Sequence, residues 1–347
     1  MPSNRSPFHC CATPWWLSSC MVIGISVQAR RVAFYAHKLA VLYLKTAPAQ
    51  PLAPAFSRDA PSASMITLTT DFGTQDAYVP AMKGTMLSIA PDVRLVDITH
   101  QISPQDIMEA AFVLQGAVPY FPAGTVHLVV VDPGVGSNRR SIALRHNDQW
   151  FVGADNGLFS LLLNQEPPDE IVVLDNPQAW RTSTPSSTFH GRDIFAPAAA
   201  HLAAGASLAD VGTPIDRLSS LRWALPMVVE HTIEGWIVHI DRFGNCITNI
   251  RRDTVTEAFP DIGADQLAPP HQEPPIPLKC YVGSTILEAL HPTYAAVAEG
   301  DPLMLFGSSG FLEIAVNGGH AAQLLNIRKS DSVKLLPHSL DAANVSA

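Results

Sequence analysis

The sequence predicts an α/β protein, in which a layered α/β domain with a mostly parallel sheet precedes a smaller all-β domain of barrel or sandwich type. Between residues 65 and 213, short β-branched runs alternate with helical patterns, as in mostly parallel sheets. One run, residues 126–131, is apolar at nearly every position, which is typical of a strand buried on both faces. Beyond residue 228, alternating strands and glycine-containing turns replace the helical periodicity, which favours a small β-barrel.

Length and composition limit the classes of protein to which this chain can belong. Its 347 residues exceed the usual size of one domain, so we expect two. The hydrophobic fraction of 47% suffices for a large core, and the net charge of −9 argues against a general nucleic-acid binder. The five cysteines form no C-x-x-C pair, so neither a zinc site nor a disulfide framework is indicated. No apolar run reaches the length of a membrane span.

Residues 1–64 differ from the rest of the chain. A short apolar stretch is followed by Arg30-Arg31 and then by proline- and alanine-rich sequence. We interpret this segment as a non-core leader, either disordered or translated from a start upstream of the true one, for which Met65 would serve. A secretory signal peptide is the alternative. Without such a peptide, we expect a cytoplasmic protein.

The first domain, predicted over residues 65–213, is expected to alternate strands with helices. Asp76 is suited to cap its first helix, and Ser103 its second, with Pro104 at the first helical position. In chain order, the predicted elements are strand 66–70, helix 76–89, strand 94–98, helix 103–118, strand 126–132, the hairpin 141–144 and 150–152, helix 158–163, strand 171–174, and an alanine-rich helix that ends near residue 204.

The strand at 126–132 is predicted to hold a carboxylate at the edge of the sheet. Pro133 cannot donate to a β-ladder, so the strand should stop at Asp132. Gly134 and Gly136 then allow a tight loop, which Arg139-Arg140 closes. Ligands of open α/β sheets bind at the carboxyl ends of the strands. These residues alone are equally compatible with an ordinary turn that carries a surface ion pair.

Two further polar residues occupy comparable places. Asp71 follows the first strand and precedes Gly73, so a second carboxylate also lies at a strand end. His190 lies directly before the alanine-rich helix, beside Arg192 and Asp193. A lone histidine is more often structural than catalytic, but these neighbours favour a functional role.

The second domain is predicted over residues 228–337, after a linker at 214–227 and before a tail at 338–347. Its clearest strands are predicted at 235–241, 247–250, 303–306 and 311–316. A tight turn at 307–310 joins the last two of these strands, and the proline-rich run 268–277 is expected to lie on the surface.

Seven short motifs follow one another along the chain: TTDFG (69–73), VDITH (96–100), PYFP (119–122), DPGVG (132–136), HGRD (190–193), DRFGN (241–245) and GSSG (307–310). Together they resemble the S-adenosyl-L-methionine (SAM) hydrolases, also called SAM hydroxide adenosyltransferases, which are related to the SAM-dependent fluorinase and chlorinase. The resemblance covers about residues 65–336.

This resemblance implies an activity and a set of site residues. It implies hydrolysis of SAM to adenosine and L-methionine, by attack of water or hydroxide on the ribose C5′, with a catalytic triad of Asp132, Arg139 and His190. It also implies that Asp71 binds the ribose hydroxyls, that Asp241 and Asn245 meet the methionine amine and the adenine side, and that Ser308 binds the methionine carboxylate. Ser309 stands where the fluorinase carries an arginine, as in the hydrolases.

The resemblance further implies a homotrimer with its sites between subunits, SAM as a substrate rather than a cofactor, and no nucleic-acid or membrane partner. The chemistry of the residue types agrees with the implied reaction. Methionine leaves a sulfonium as a neutral thioether, so no general acid and no metal are required. A carboxylate–imidazole pair can take or orient a proton of water, and a protonated arginine can stabilise hydroxide character.

Two other functions are weaker alternatives. A halogenase of the same superfamily would replace the water-activating group with a halide pocket, against which His190 and residues 134–136 argue. A SAM- or adenosine-binding module without turnover would not need the intact triad. A nicotinamide enzyme is excluded because no G-x-G-x-x-G follows the first strand.

Overall fold

The computed structural model describes residues 65–221, 224–262, 267 and 275–338. The predicted leader, nearly all of the predicted tail and most of the proline-rich run lie outside these residues. The described residues form a mixed sheet with helices, followed by a separate all-antiparallel sheet, which confirms the predicted fold class. None of the described helices is long and apolar enough to cross a membrane.

The first sheet has the strand order β2-β1-β3-β5-β4-β6-β7. Its strands are β1 (Met65–Thr70), β2 (Arg94–Thr99), β3 (Val126–Val130), β4 (Ser141–His146), β5 (Gln149–Ala154), β6 (Glu170–Val173) and β7 (Thr213–Pro214). Strands β2, β1, β3 and β5 run parallel to one another, whereas β4, β6 and β7 add antiparallel pairs. The residues that follow β1 and β3 therefore meet at one edge of the sheet, its carboxyl edge.

Helices cover both faces of this sheet. They are α1 (Tyr78–Ile89), α2 (Ile107–Ala117), α3 (Leu158–Leu162), α4 (Ala196–Ala203) and α5 (Leu208–Val211). Helices α1 and α4 pack with β-strand residues such as Ile66 and Leu128 in one core. Helices α2 and α3 pack against Val129 and Phe151 in a second core. The alternation of β3 residues between the two cores explains why its sequence is apolar throughout.

Both predicted helix caps were wrong. Helix α1 begins at Tyr78 with Ala77 as its N-cap and no side-chain cap, so Asp76 does not cap it. Helix α2 is capped by Asp106, whose Oδ1 accepts a hydrogen bond of 2.8 Å from the Glu109 N–H. Ser103 does not cap this helix because Gln105 has a φ of +66°, which lies outside the helical region. A helix that starts directly after Ser103 is therefore impossible.

Strand β3 also ends earlier than predicted, at Val130 rather than at Asp132. The Asn156 side chain donates a 2.9 Å hydrogen bond to the Val131 carbonyl, which takes the place of a ladder partner. The segment predicted as a linker begins within β7 and continues along the first domain, because Ile215, Leu218 and Leu221 pack against the α2–α3 core.

The second sheet has the strand order β12-β11-β15-β9-β10-β14-β13, with β8 paired to β9. Its strands are β8 (Met227–Val229), β9 (Thr232–Ile240), β10 (Cys246–Arg251), β11 (Leu278–Val282), β12 (Thr285–Leu287), β13 (Pro302–Phe306), β14 (Phe311–Val316) and β15 (Ser332–Pro337), with the short helices α6 (Arg252–Ala258) and α7 (Ala321–Leu324). A bridge between Leu290 and Met304 brings the two ends of the sheet together, so the sheet is nearly closed around its own core.

Candidate active site

The loop after β3 folds back so that Arg139 returns to Asp132. Gly136 has a φ of +77°, and a Cβ there would lie 2.4 Å from the Ser187 carbonyl oxygen, so only glycine fits this close approach. The Ser137 hydroxyl donates to the Gly134 carbonyl at 2.6 Å. The glycines noted in the sequence thus shape a compact loop, and the carboxylate and the guanidinium meet at the carboxyl edge of the sheet.

Arg139 is the centre of a buried polar cluster. Its Nε donates to Asp132 Oδ1 at 2.8 Å, and its Nη2 contacts Asp132 Oδ2, which makes a bidentate pair. Its Nη1 donates to the Ser141 hydroxyl at 2.7 Å, and Nη2 also lies 2.9 Å from Nδ1 of His190. The side chains of Arg139 and Asp132 are only 10% and 5% exposed. The structure therefore brings together all three residues of the predicted triad.

His190 lies at the start of a π-helical turn, Gly191–Phe195, that leads into α4. The fully buried Asp193 holds this turn: it accepts hydrogen bonds from Arg181, Arg192 and the Ser186 N–H. Burial alone would raise the pKa of Asp193, but these bonds lower it below its usual range. In the sequence, Asp193 was of interest only as a neighbour of His190. Its contacts assign it a structural role, that of fixing the segment that carries the histidine.

The contact with Arg139 defines the protonation state of His190. A guanidinium stays protonated and can only donate, so Nδ1 of His190 must accept, and the ring proton is on Nε2. Burial lowers the pKa of His190, and the Arg139 charge lowers it further, against the opposite influence of Asp132 and Asp193. The imidazole is therefore neutral at neutral pH, with an Nε2–H donor.

Asp71 follows β1 at the same carboxyl edge. Its Oδ2 accepts a 2.8 Å hydrogen bond from the N–H of Gln105, the residue with the left-handed backbone. Its Oδ1 takes no hydrogen bond from the described residues. Asp71 thus presents one free oxygen at the edge that also holds Asp132.

Three aromatic rings that were not predicted as site residues lie at this edge. Phe72, Tyr78 and Phe189 have ring centroids 5.2–5.8 Å apart, and the Arg192 guanidinium lies 5.1 Å from the centre of the Phe189 ring. Because Phe72 follows Asp71 and Phe189 precedes His190, the position of the aromatic residues next to polar motif residues was the available signal. The rings form an apolar wall beside the polar groups.

In the second domain, Asp241 and Asn245 close the turn between β9 and β10. Oδ1 of Asp241 accepts from the N–H groups of Phe243 and Asn245, and Oδ2 accepts from the Asn245 side-chain amide, each at 2.9 Å. The structure brings these two predicted binding residues together, and both carboxylate oxygens support the turn.

Ser308 is exposed on the turn between β13 and β14. The carboxyl group of Glu313 packs under this turn, since a Cβ on Gly307 would lie 1.7 Å from Glu313 Oε1. Glu313 is itself 7% exposed and accepts a 2.7 Å hydrogen bond from the Tyr294 hydroxyl. The pKa of the Glu313 carboxyl is raised above its usual range. Burial is the main cause and the nearby Asp241 charge adds to it, whereas the hydrogen bond from Tyr294 acts in the opposite direction.

The structure does not bring Ser308 to the triad of its own chain. Its neighbour Ser309 lines a cavity of about 590 Å³ together with Phe121, Asn147 and Gln149. Gln149 begins β5, so this cavity lies at the amino edge of the parallel strands, opposite Asp132. The five residues of β3, about 16 Å of extended chain, run from this edge toward Asp132.

Among the described residues, no group of three or more histidine, cysteine, aspartate or glutamate side chains is arranged to hold a metal ion. Cys246 and Cys280 are buried free thiols, and burial raises the pKa of both. Neither cysteine is poised as a nucleophile.

Comparison with known proteins follows the same two-domain division. Residues 66–212 match the model of the SAM hydroxide adenosyltransferase N-terminal domain, and residues 235–334 match that of the C-terminal domain. The chain is 37% identical over 278 residues to (R)-S-adenosyl-L-methionine hydrolase of Thermus thermophilus, covering 77% of this chain and 97% of the relative. It is also 37% identical to the hydrolase of the same name from Salinispora tropica, over 78% of this chain and 97% of the relative.

More distant relatives include a fluorinase of Actinopolyspora mzabensis, which is 28% identical over 80% of this chain and 98% of the relative. Among solved structures, an uncharacterized conserved protein from Thermotoga maritima superposes with a TM-score of 0.69 at 34% identity, covering 78% of this chain and 99% of that one.

Proposed function

The chain belongs to the SAM hydroxide adenosyltransferase family, and on that premise we propose that it hydrolyses SAM to adenosine and L-methionine. The observation that carries this proposal is the contact of one buried guanidinium with both a carboxylate and an imidazole at the carboxyl edge of the first sheet. A cluster of this kind suits a reaction that needs an activated water and no acid for the leaving group.

The reaction forms a bond between the water oxygen and C5′ and breaks the bond between C5′ and the sulfonium sulfur. The electron pair of the broken bond goes to sulfur, so methionine leaves as a neutral thioether. One proton of water must be taken up during or after the attack. The enzyme therefore has to hold water in line with the C–S bond and accept its proton.

The protonation states divide these roles within the triad. The Nε2–H of neutral His190 can donate to the water oxygen and so fix its position. The Nδ1 atom already accepts from Arg139, so this imidazole cannot also be the base through that nitrogen. Each oxygen of Asp132 accepts from Arg139 and keeps a second lone pair. Asp132 is thus the triad member that accepts the proton, and Arg139 stabilises the hydroxide character that develops.

The remaining predicted residues are proposed to bind substrate. The free Oδ1 of Asp71 suits a hydroxyl of the ribose, and Asp241 with Asn245 suits the methionine amine and the adenine side. Ser308 is proposed to bind the methionine carboxylate. Because the leaving group is neutral, none of these steps calls for a metal ion or a cofactor, and we expect activity to persist in the presence of EDTA.

The positions of Ser308 and Asp132 support an oligomer with shared sites. SAM joins its reacting carbon and its carboxylate through only a few bonds, whereas Ser308 lies next to a cavity at the amino edge of the parallel strands and Asp132 lies at their carboxyl edge. One chain therefore cannot offer both groups to one substrate molecule, and a second copy can. We propose the homotrimer that the family resemblance implies, with each site formed between the first domain of one chain and the second domain of another.

The test is incubation of the purified protein with SAM in water enriched in ¹⁸O, followed by chromatography and mass spectrometry. We expect adenosine and methionine, with the label in the 5′-hydroxyl of adenosine. Formation of S-adenosylhomocysteine would contradict hydrolysis, and a 5′-halogenated adenosine in halide buffer would identify a halogenase. Binding of SAM without any product would identify a binding module.

A further inference from the structure

The motif at residues 96–100 has no role in the mechanism above, yet its last residue contacts the segment that carries Asp71. His100 is 6% exposed. Its Nδ1 lies 2.9 Å from the Thr70 hydroxyl, and its backbone carbonyl accepts a 2.7 Å hydrogen bond from the Gly73 N–H. Thr70 and Gly73 flank Asp71 and Phe72 on either side. His100 therefore holds both ends of the short turn that presents the carboxylate.

The partners of this turn are themselves fixed. Thr70 is fully buried, and its hydroxyl also accepts from the Phe72 N–H at 3.3 Å. On the other side of the ring, Nε2 of His100 lies 3.1 Å from Asp97 Oδ1, and Asp97 Oδ2 contacts Lys83 at 2.6 Å. The imidazole thus lies between the Thr70 hydroxyl of β1 and the Asp97 carboxylate of β2, and these two contacts limit its rotation.

The loop that starts at His100 also reaches the Asp71 side chain itself. Gln105, five residues further on, adopts the left-handed backbone with a φ of +66° and directs its N–H to Asp71 Oδ2. A non-glycine residue with this φ has a strained backbone. Such a conformation persists only where the surroundings require it, and here it directs one donor at the carboxylate and leaves Oδ1 open.

We propose that His100 is a positioning residue that fixes Asp71 for contact with the ribose hydroxyls, and so makes the enzyme selective for substrates with an intact ribose diol. This inference rests on the proposed function, since it needs a nucleoside substrate. His100 acts through Thr70 and Gly73 and does not touch the substrate. A purely structural histidine would affect all substrates alike, whereas a residue that positions Asp71 affects only those with a hydroxyl to bind.

The experiment compares SAM with its 2′-deoxy analogue, which lacks one of the ribose hydroxyls. We use Thr70→Val, which removes the hydroxyl that meets Nδ1 at nearly constant volume, and Thr70→Ser, which retains it. His100→Ala is the direct variant. Both kcat and KM are measured for each substrate, binding is measured by isothermal titration, and melting temperatures report folding.

The loss of one hydrogen bond predicts that Thr70→Val and His100→Ala raise the KM for SAM by roughly 5- to 10-fold with a smaller change in kcat. For the 2′-deoxy analogue, the same variants should differ little from the unaltered protein, and Thr70→Ser should restore the preference for SAM. Equal effects on the two substrates would overturn the proposal. If His100→Ala does not fold, the Thr70 pair decides the outcome.

Failure of the proposed function would be recognised separately. If the unaltered protein binds SAM but forms no product, hydrolysis is refuted, while the titrations with the two ligands still test the role of His100. If the unaltered protein binds both ligands equally well, the preference for the diol is absent and the inference is wrong.

Discussion

The Nη2 atom of Arg139 lies 2.9 Å from Nδ1 of His190, and the same guanidinium forms a bidentate pair with Asp132. The Arg139 guanidinium thus contacts both of the other triad residues, Asp132 and His190. It holds the carboxylate through two hydrogen bonds and keeps the imidazole in the tautomer with its proton on Nε2. The triad consequently has one donor and one acceptor available for water before any substrate binds.

Removing the imidazole should separate chemistry from binding. His190→Ala is expected to lower kcat by about 100-fold or more while SAM still binds, because the lost Nε2–H acts on water. Asp71→Ala is expected to raise KM more than it lowers kcat, because a ribose contact is made in the ground state as well. Steady-state kinetics and titration of SAM against both variants check this. Near-normal turnover by His190→Ala would remove the histidine from the mechanism.

The pH dependence of activity should report the lowered pKa of His190. Its neutral form is the one that fits against Arg139, so activity is retained at neutral pH and lost as pH falls through the pKa of the histidine. Burial and the Arg139 charge lower that pKa from its ordinary value of 6.5. We therefore expect the acid limb of the kcat/KM profile to have its midpoint below 6.5. An acid limb that stays unchanged in the residual activity of His190→Ala would belong to another group.

A different histidine should govern stability in mild acid. His127 is fully buried in β3, where its ring stacks on Phe151 at 5.0 Å, and its Nδ1 lies 2.7 Å from the Thr67 hydroxyl. Burial lowers the pKa of His127 to about 4. Below pH 6.5 the unfolded chain binds a proton that the folded chain does not, so the free energy of unfolding should fall between about pH 6.5 and pH 4. The loss is about 3 kcal/mol.

Denaturant unfolding at several pH values tests this effect. His127→Gln should be less stable at neutral pH, because the core loses its ring, but its stability should depend less on pH between 6.5 and 4. His231→Gln, at an exposed position, is the matched control and should retain the original dependence. If His127→Gln keeps the full slope, another buried group such as His201, whose pKa is also about 4, is responsible.

The two domains are joined by an ion cluster that should contribute to stability. Lys329 Nζ lies 2.6 Å from Asp106 Oδ2 and 2.8 Å from Glu109 Oε2, and His239 Nδ1 lies 3.3 Å from Glu109 Oε1. Burial works to raise the pKa of Glu109, but the bonds from His239, Lys329 and the Ser103 N–H lower it well below its usual range. The carboxylate is therefore ionised and paired at the interface.

Glu109→Gln keeps the shape of the side chain but removes its charge, and we expect a loss of about 1–2 kcal/mol in the free energy of unfolding. Urea unfolding measures it. Glu288→Gln is the control, because Glu288 is 68% exposed and lies 4.0 Å from Lys279, so it should change stability by less than about 0.5 kcal/mol. Indistinguishable midpoints for the two variants would show that the cluster adds nothing.

Local sequence patterns were sufficient to predict the parallel strands and the carboxylates that follow them, because burial of β3 on both faces requires a continuous apolar run. They were insufficient for the start of α2, since nothing in the sequence marks Gln105 as left-handed. Strands β11, β12 and β15 were not predicted, and β15 is held by pairing with β9, almost a hundred residues away in the chain. Short strands of a nearly closed sheet depend on such distant partners more than on their own periodicity.

The candidate site, like the fold, could be predicted from the sequence only in part. The resemblance identified Asp132, Arg139 and His190 by residue type, although Arg139 and His190 are 51 positions apart. The tautomer of His190 and the anchoring of its turn by Asp193 depend on contacts between segments, which no spacing reveals. The roles of the predicted residues as catalysts and binders remain predictions.

The turn that carries Ser308 lies near the amino edge of the parallel strands, and the shared site proposed above predicts genetic complementation between defective copies. His190→Ala removes the triad of a chain but leaves its second domain intact, and Ser308→Asp, which should repel a substrate carboxylate, does the reverse. Each variant alone should have at most a small residual activity. Co-expressed under two affinity tags and purified as mixed assemblies, they should regain part of the activity, because an intact first domain then faces an intact second domain. Mixed assemblies as inactive as either parent would mean that each chain builds its site alone.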